Sequence, residues 1–171
     1  EALASLARRE LRAARDLDVV ARRDRGLDRR DAVDVGDAEL ERAGAEVRYA
    51  DGELDDFPFV ASAIRSAVAH WQRPLAGVLH LAGAHRERSL ADETPQTFWA
   101  TVKPKLVGSW TLHQVAREFP GCLFVNFSSV LGHFGAAGHA AYTAANASID
   151  RFAYRQSNDG VRSSSLSWSL W

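Results

Sequence analysis

Apolar positions along this chain switch repeatedly between a helical and an extended repeat. Over residues 1–14, Leu3, Leu6 and Leu11 fall on one side and arginines on the other, the pattern of an amphipathic helix. Residues 17–21 form a short apolar strand, and the charge-dense stretch 22–36 reads as a surface loop. A short helix over 37–43 closes at Gly44, and 46–50 is the next strand. A helix is expected over 59–71 and a buried strand over 75–81 that ends at Ala82-Gly83. Thr94 opens a long helix reaching about residue 118, with Pro95 in its first turn. Pro120-Gly121 breaks it before a strand over 123–128. A helix over 140–156 and a strand over 161–170 complete the chain.

Strands alternating with helices at this spacing imply an α/β fold, a doubly wound parallel sheet covered on both faces. Ligands of such sheets bind outside the carboxyl ends of the strands. Arg22, Asp51, Gly83 and Ser129 each fall at or just after a strand end, which assigns them to that edge. A dinucleotide-binding sheet usually opens with a strand and a Gly-rich turn, yet the first glycine here is Gly26 and residue 1 already lies in a helix. The expectation is one domain over 1–171, a Rossmann-like sheet truncated at both ends.

The 171 residues suffice for one domain with a sizeable core, and 46% hydrophobic with 25% charged residues is ordinary globular composition. A net charge of −1 argues against nucleic acid as a partner. The lone Cys122 excludes an internal disulfide and suits a reducing compartment. There is no apolar run of membrane-spanning length and no apolar signal core, so a cytoplasmic location without membrane contact is expected. His80, His85, His113, His133 and His139 lack metal-ligand spacing with acids or Cys122, so no metal is expected. Trp99 and Trp110 read as core or packing residues of the long helix, and Cys122 as an inert small hydrophobe.

One constellation changes the picture. Tyr142 and Asn146 form a Tyr-x-x-x-Asn step, Ser129 lies 13 residues before the tyrosine, and Lys105 lies 37 before it. The 21 basic side chains include only two lysines, Lys103 and Lys105, so a retained lysine suggests a task for a tunable amine rather than a guanidinium. Reduction of a ketone needs an acid beside the carbonyl oxygen. Tyrosine, with a reference pKa near 10, needs help to act at neutral pH. A neighbouring ammonium lowers that value, and reaching about 7 requires roughly 4 kcal/mol. Lys105 could supply it while bonding the ribose of a nicotinamide cofactor. Ser129 could hold the substrate oxygen. Asn146, one turn beyond Tyr142 on the same helix face, could fix the lysine or an ordered water.

Several stretches together resemble the ketoreductase domains of modular polyketide synthases, members of the short-chain dehydrogenase/reductase superfamily. They are Gly77-Val-Leu-His-Leu-Ala-Gly83, Lys103-Pro-Lys105-Leu-Val-Gly108, Phe127-Ser-Ser-Val-Leu-Gly132, Ala141-Tyr-Thr-Ala-Ala-Asn146 and Ser165-Leu-Ser-Trp-Ser-Leu-Trp171. The wider superfamily usually carries lysine four residues after the tyrosine, whereas the synthase enzymes exchange lysine and asparagine, as here. The resemblance implies that Lys105, Ser129, Tyr142 and Asn146 are the catalytic set. It implies that Arg22 binds the 2′-phosphate of NADPH, that Asp51 meets the adenine edge, and that the Ala82-Gly83 turn passes beneath the cofactor. It also implies cofactor contacts from Lys105 and Tyr142.

The resemblance has departures. Gly132, Gly135 and Gly138 have the wrong spacing for a dinucleotide fingerprint and are expected to provide turns between Ser129 and Tyr142. His85-Arg86-Glu87 stands where one stereochemical subclass has Leu-Asp-Asp, and Asn126 where the other has tryptophan, so neither subclass is marked. The substrate lid is expected to follow Trp171. The implied activity is NADPH-dependent reduction of a β-ketoacyl thioester on the phosphopantetheine of an acyl carrier protein, among neighbouring synthase domains. Alternatives are reduction of an α-ketoacyl thioester in a peptide synthetase, or a non-catalytic reductase-like module.

Overall fold

The computed structural model describes residues 44–169 together with the backbone strand at 19–21. The expected helices over 1–14 and 37–43, the loop 22–36 and Arg22 lie outside the described residues. The chain divides into two compact units, Glu1–Gly52 and Glu53–Trp171.

The first unit contains β1 (Val19–Ala21) and β2 (Val47–Tyr49), paired in parallel with Val20 opposite Arg48. Asp51 is exposed, two residues beyond β2.

The second unit runs α1 (Phe57–Trp71), β3 (Gly77–His80), α2 (Pro95–Ala116), β4 (Leu123–Ser129), α3 (Leu131–Phe134), α4 (Ala140–Asn158) and β5 (Arg162–Trp168). Its strands form a parallel sheet in the order β3-β4-β5, as the βα alternation predicts. The helix starts follow from capping. The Asp56 carboxylate accepts the Phe59 N–H at 3.0 Å, which begins α1 two residues before the expected start. Thr94 and Thr97 satisfy one another's backbone N–H groups in a capping box ahead of Pro95.

The core has two neighbouring parts. Val78, Ala116, Cys122, Phe124 and Val161 fill the space between the sheet and the end of α2. Val60, Ala61 and Ile64 of α1 pack on Val115, and Leu75, Leu112 and Phe119 touch both groups. Burying a side chain such as Phe124 contributes about 1.5–3 kcal/mol. Cys122 is buried, and burial pushes its thiol up to about 11, so it is an unreactive core residue.

Two expectations need correcting. Trp99 and Trp110 are 49% and 47% exposed, so neither is a core residue, although the Trp110 ring packs 6.0 Å from that of Phe152. The buried face of α2 consists mostly of small and polar residues, Thr101, Lys105, Gly108, Ser109 and Thr111 among them, and the tryptophans lie off that face. The glycine-rich stretch also contains the helical turn α3, which alternation alone does not reveal. Gly135 and Gly138 do make turns, with φ of +65° and +75°. Gly132 instead sits inside α3, where a Cβ would lie 3.1 Å from Ala147 N and from Asn146 Cβ. Its missing side chain lets α3 approach α4 at Asn146.

Candidate active site

Three of the implied catalytic residues come from elements packed at the carboxyl edge of the three-stranded sheet, and the fourth is the last residue of β4. Lys105 belongs to α2, Ser129 ends β4, and Tyr142 and Asn146 occupy the first two turns of α4. Helix α4 packs against both α2 and β4. Ala82 and Gly83 follow β3 at the same edge.

Lys105 is the most constrained of them. It is only 4% exposed, and its Nζ donates to the carbonyl of Phe127 at 2.5 Å. That carbonyl belongs to β4, two residues before Ser129. Burial pulls the ammonium down to about 8, and the negative charge of Asp150 opposes the fall. Across the turn after β3, a Cβ at Gly83 would come within 2.9 Å of Lys105 Cε. The glycine therefore makes room for the lysine stem.

His80 supports this lysine, a role the sequence reading missed. It is buried on β3, and its Nε2 lies 3.2 Å from the Lys105 carbonyl. A carbonyl only accepts, so Nε2 carries the proton. Burial lowers the imidazole to about 4, with the Lys105 carbonyl opposing and the Lys105 charge adding to the fall, so it is neutral at physiological pH. Gly108, one turn after Lys105, admits the ring: a Cβ there would sit 3.3 Å from His80 Cε1 and 2.5 Å from Leu54 Cδ2. The signal for this arrangement was an isolated glycine in a helix interior, three residues after the scarce lysine.

Ser129 is 8% exposed, and its Oγ accepts the Leu131 N–H at 3.2 Å. With an acceptor position used in this way, the hydroxyl proton is available to a carbonyl oxygen. Its neighbour Ser128 points elsewhere and reaches the Asn146 carbonyl at 3.4 Å. Tyr142 is half-buried, with its ring edge-on to His85 at 4.6 Å. His85 in turn stacks on His139 at 5.0 Å, which ties the segment after β3 to the start of α4. The Arg88 N–H donates to the Gly138 carbonyl at 2.8 Å between the same two segments.

Asn146 is fully buried. Its Nδ2 donates back to the Tyr142 carbonyl at 2.8 Å, and its Oδ1 has no hydrogen-bond partner. The carboxamide nitrogen is therefore engaged within α4, and the oxygen is the group that faces the interior as an acceptor. Lys103, the other lysine, pairs with Asp55 at 2.7 Å and leaves the site to Lys105. Asn126, at the position of a stereochemical marker, is wholly buried and structural. Its Nδ2 donates to Gln156 Oε1 at 2.8 Å, and Ser163 Oγ donates to the same oxygen at 2.7 Å.

The structure thus brings Lys105 together with Gly83 and with the end of β4 that carries Ser129, and aligns Tyr142 with Asn146 one turn apart. Asp51 is described within the other unit, and Arg22 is outside the described residues. The donor set fits a nicotinamide dinucleotide: an ammonium beside a turn that excludes side chains, a hydroxyl donor, and a phenol.

The KR domain family matches residues 3–171. Polyketide synthase GfsE of Streptomyces halstedii is 36% identical over 133 residues, which is 78% of this chain and 3% of that protein. Pikromycin polyketide synthase component PikAII of Streptomyces venezuelae is 35% identical over 136 residues, again 78% of this chain and 4% of the relative. This chain therefore corresponds to a small part of the synthases it matches. Among solved structures, that of A-type ketoreductases from a modular polyketide synthase superposes with a TM-score of 0.82 at 30% identity, covering 95% of this chain and 34% of that one. The first ketoreductase of the tylosin polyketide synthase superposes with a TM-score of 0.75 at 29% identity, covering 98% and 36%. The chain belongs to the KR domain family, the ketoreductase domains of modular polyketide synthases, and has their Rossmann-like α/β fold.

Proposed function

We propose that this chain reduces a β-ketoacyl thioester, carried on the phosphopantetheine of an acyl carrier protein, to the β-hydroxyacyl thioester with NADPH. The observation that carries the reading is the burial of Lys105 between the Gly83 turn and the Phe127 carbonyl, on the helix that packs against α4, which carries Tyr142 and Asn146. A folded scaffold gains nothing from a nearly inaccessible ammonium, because removing such a charge from water is costly. A reductase gains a charge that stabilises phenolate.

When bound, NADPH would supply the hydride that reaches the carbonyl carbon. The Ala82-Gly83 turn and Lys105 would hold its nicotinamide half, with Arg22 on the 2′-phosphate and Asp51 on the adenine edge. Ser129 donates its hydroxyl proton in a hydrogen bond to the substrate oxygen and orients the ketone. Tyr142 transfers its phenolic proton to that oxygen as the alcohol forms. Lys105, still charged at neutral pH, favours the phenolate left behind. Asn146, with its buried Oδ1 free to accept, would fix the lysine or an ordered water in a proton relay. In this reading the domain works in the cytoplasm, and its partners are the carrier protein and neighbouring synthase domains.

The test is reduction, by the full protein with NADPH, of a β-ketoacyl thioester and an α-ketoacyl thioester on a carrier protein. Preferential β-keto reduction is expected. Preference for the α-keto substrate would assign the domain to a peptide synthetase reaction. No reduction of either, with the fold intact, would make it a non-catalytic module.

A further inference from the structure

We propose that His85 is a positioning residue for Tyr142: its imidazole, braced by His139, fixes the tyrosine ring and with it the direction of the phenolic hydroxyl. The inference rests on the ketoreductase reading of Tyr142 and adds a residue to it.

Tyr142 has freedom that the helix alone does not remove. Its backbone is set by the first turn of α4, but its ring still turns about two side-chain bonds, and the hydroxyl swings with them. The ring is half-buried, so the core holds only part of it. Among the described residues, the ring packed on it is that of His85, with centroids 4.6 Å apart and planes at 77°. In such an edge-to-face pair the positive rim of one ring meets the negative face of the other, so the contact selects an angle as well as a distance.

His85 is exposed and lies in the stretch without regular structure between β3 and α2, so it restrains Tyr142 only because it is itself held. His139, at the start of α4, stacks on it at 5.0 Å with planes 28° apart. The His139 ring is oriented in turn, since its Nδ1 donates to the Ala137 carbonyl at 2.8 Å. Beside these rings the Arg88 N–H donates to the Gly138 carbonyl at 2.8 Å. The side chain of Glu87 lies so close over Gly138 that a Cβ there would be 2.9 Å from Glu87 Cγ. Residues 85–88 are thereby fastened to residues 138–139, and the His85 ring is set against Tyr142. The same segment begins two residues earlier at Gly83, whose missing side chain seats the Lys105 stem. One short stretch of chain thus meets both the phenol ring and the lysine that is to act with it.

The test reads the phenol itself and then its chemistry. In the full protein labelled with fluorotyrosine, the Tyr142 signal is assigned by its loss in Tyr142→Phe and followed by ¹⁹F NMR without substrate or cofactor. In the wild type, the ring current of His85 should displace this signal from that of free fluorotyrosine. His85→Ala should return it towards the free position, and His85→Phe, which keeps a ring, should preserve the displacement. Single-turnover reduction at saturating NADPH should fall about 10-fold or more in His85→Ala, the scale on which misplacing a reacting group acts. It should recover most of that loss in His85→Phe, with NADPH affinity and melting temperature nearly unchanged throughout. His139→Ala should shift signal and rate in the same direction by less. His85→Leu, which fills similar space without an aromatic face, replaces the Ala variant if that does not fold. An unchanged rate in the folded Ala or Leu variant would overturn the proposal, whether or not the signal moves. Equal losses in the Ala and Phe variants would overturn it too, because the ring contact would then not be what counts. Failure of wild-type reduction would instead count against the ketoreductase reading, while the fluorine signal still tests the contact.

Discussion

Gly83 and Lys105 pack so closely that a methyl on the glycine would lie 2.9 Å from the lysine Cε. The contact joins the turn after β3 to the middle of α2, and it falls on the flexible stem of a side chain rather than on backbone. Gly83→Ala is therefore expected to fold with nearly unchanged thermal stability while displacing the ammonium. Misplacement of a catalytic group by about 1 Å can cost up to about 100-fold, so single-turnover reduction should fall by about 10- to 100-fold. An unchanged rate in the folded variant would show that Lys105 tolerates displacement.

The neutral His80 links folding to pH. Its folded-state value near 4 lies below the ordinary 6.5, so the unfolded chain binds more protons between those limits. The stabilisation is complete above pH 6.5 and is lost as pH falls towards 4. At about 1.36 kcal/mol per pH unit the loss approaches about 3 kcal/mol. Urea unfolding of the wild type and of His80→Gln across this range should differ in slope by that component. Parallel curves would mean that the imidazole is protonated in the fold.

Asn126 fastens β4 to α4 and β5 through Gln156 and Ser163, and Ser109 of α2 reaches its Oδ1 at 3.4 Å. Asn126→Ala strands these buried partners and should cost about 1–3 kcal/mol by urea unfolding. A change below about 0.5 kcal/mol would mean that the network re-forms around the gap.

Arg22 carries the prediction on cofactor choice. Arg22→Ala should weaken NADPH binding and leave NADH nearly unaffected, as read by fluorescence titration of the full protein. Equal losses for both cofactors would remove its role at the 2′-phosphate. The basis is chemical: a guanidinium after a strand presents a fork of N–H donors to phosphate.

The alternation of periods in the sequence located β2 through β5 and the long helices to within a few residues, because burial and capping are written locally. Asp56, Thr94 and Pro95 mark helix starts from within the chain. The scarcity of lysine pointed to Lys105, and its deep burial accords with a role that surface charge alone would not require. His80 was not legible, since its meaning depends on Lys105, 25 positions away in the chain. Gly132 was read as a turn because glycine signals both conformational freedom and close approach, and only the packing of α3 on α4 separates the two. The exposure of Trp99 and Trp110 was hidden for a related reason: α2 turns its small and polar side inward, against the usual sense of amphipathicity.

The most direct test of the account is single-turnover reduction of a β-ketoacyl thioester by the wild type, Tyr142→Phe, Lys105→Ala and the double variant, with NADPH binding measured alongside. Tyr142→Phe should bind NADPH normally and lose about 10²–10⁴-fold or more in rate, the range of general acid catalysis. Lys105→Ala should lose both rate and NADPH affinity. The double variant should be far less impaired than the product of the two single losses, because the phenol and the ammonium act as one unit. Near-wild-type turnover by Tyr142→Phe, or losses that multiply fully in the double variant, would contradict proton donation by Tyr142 under the control of Lys105.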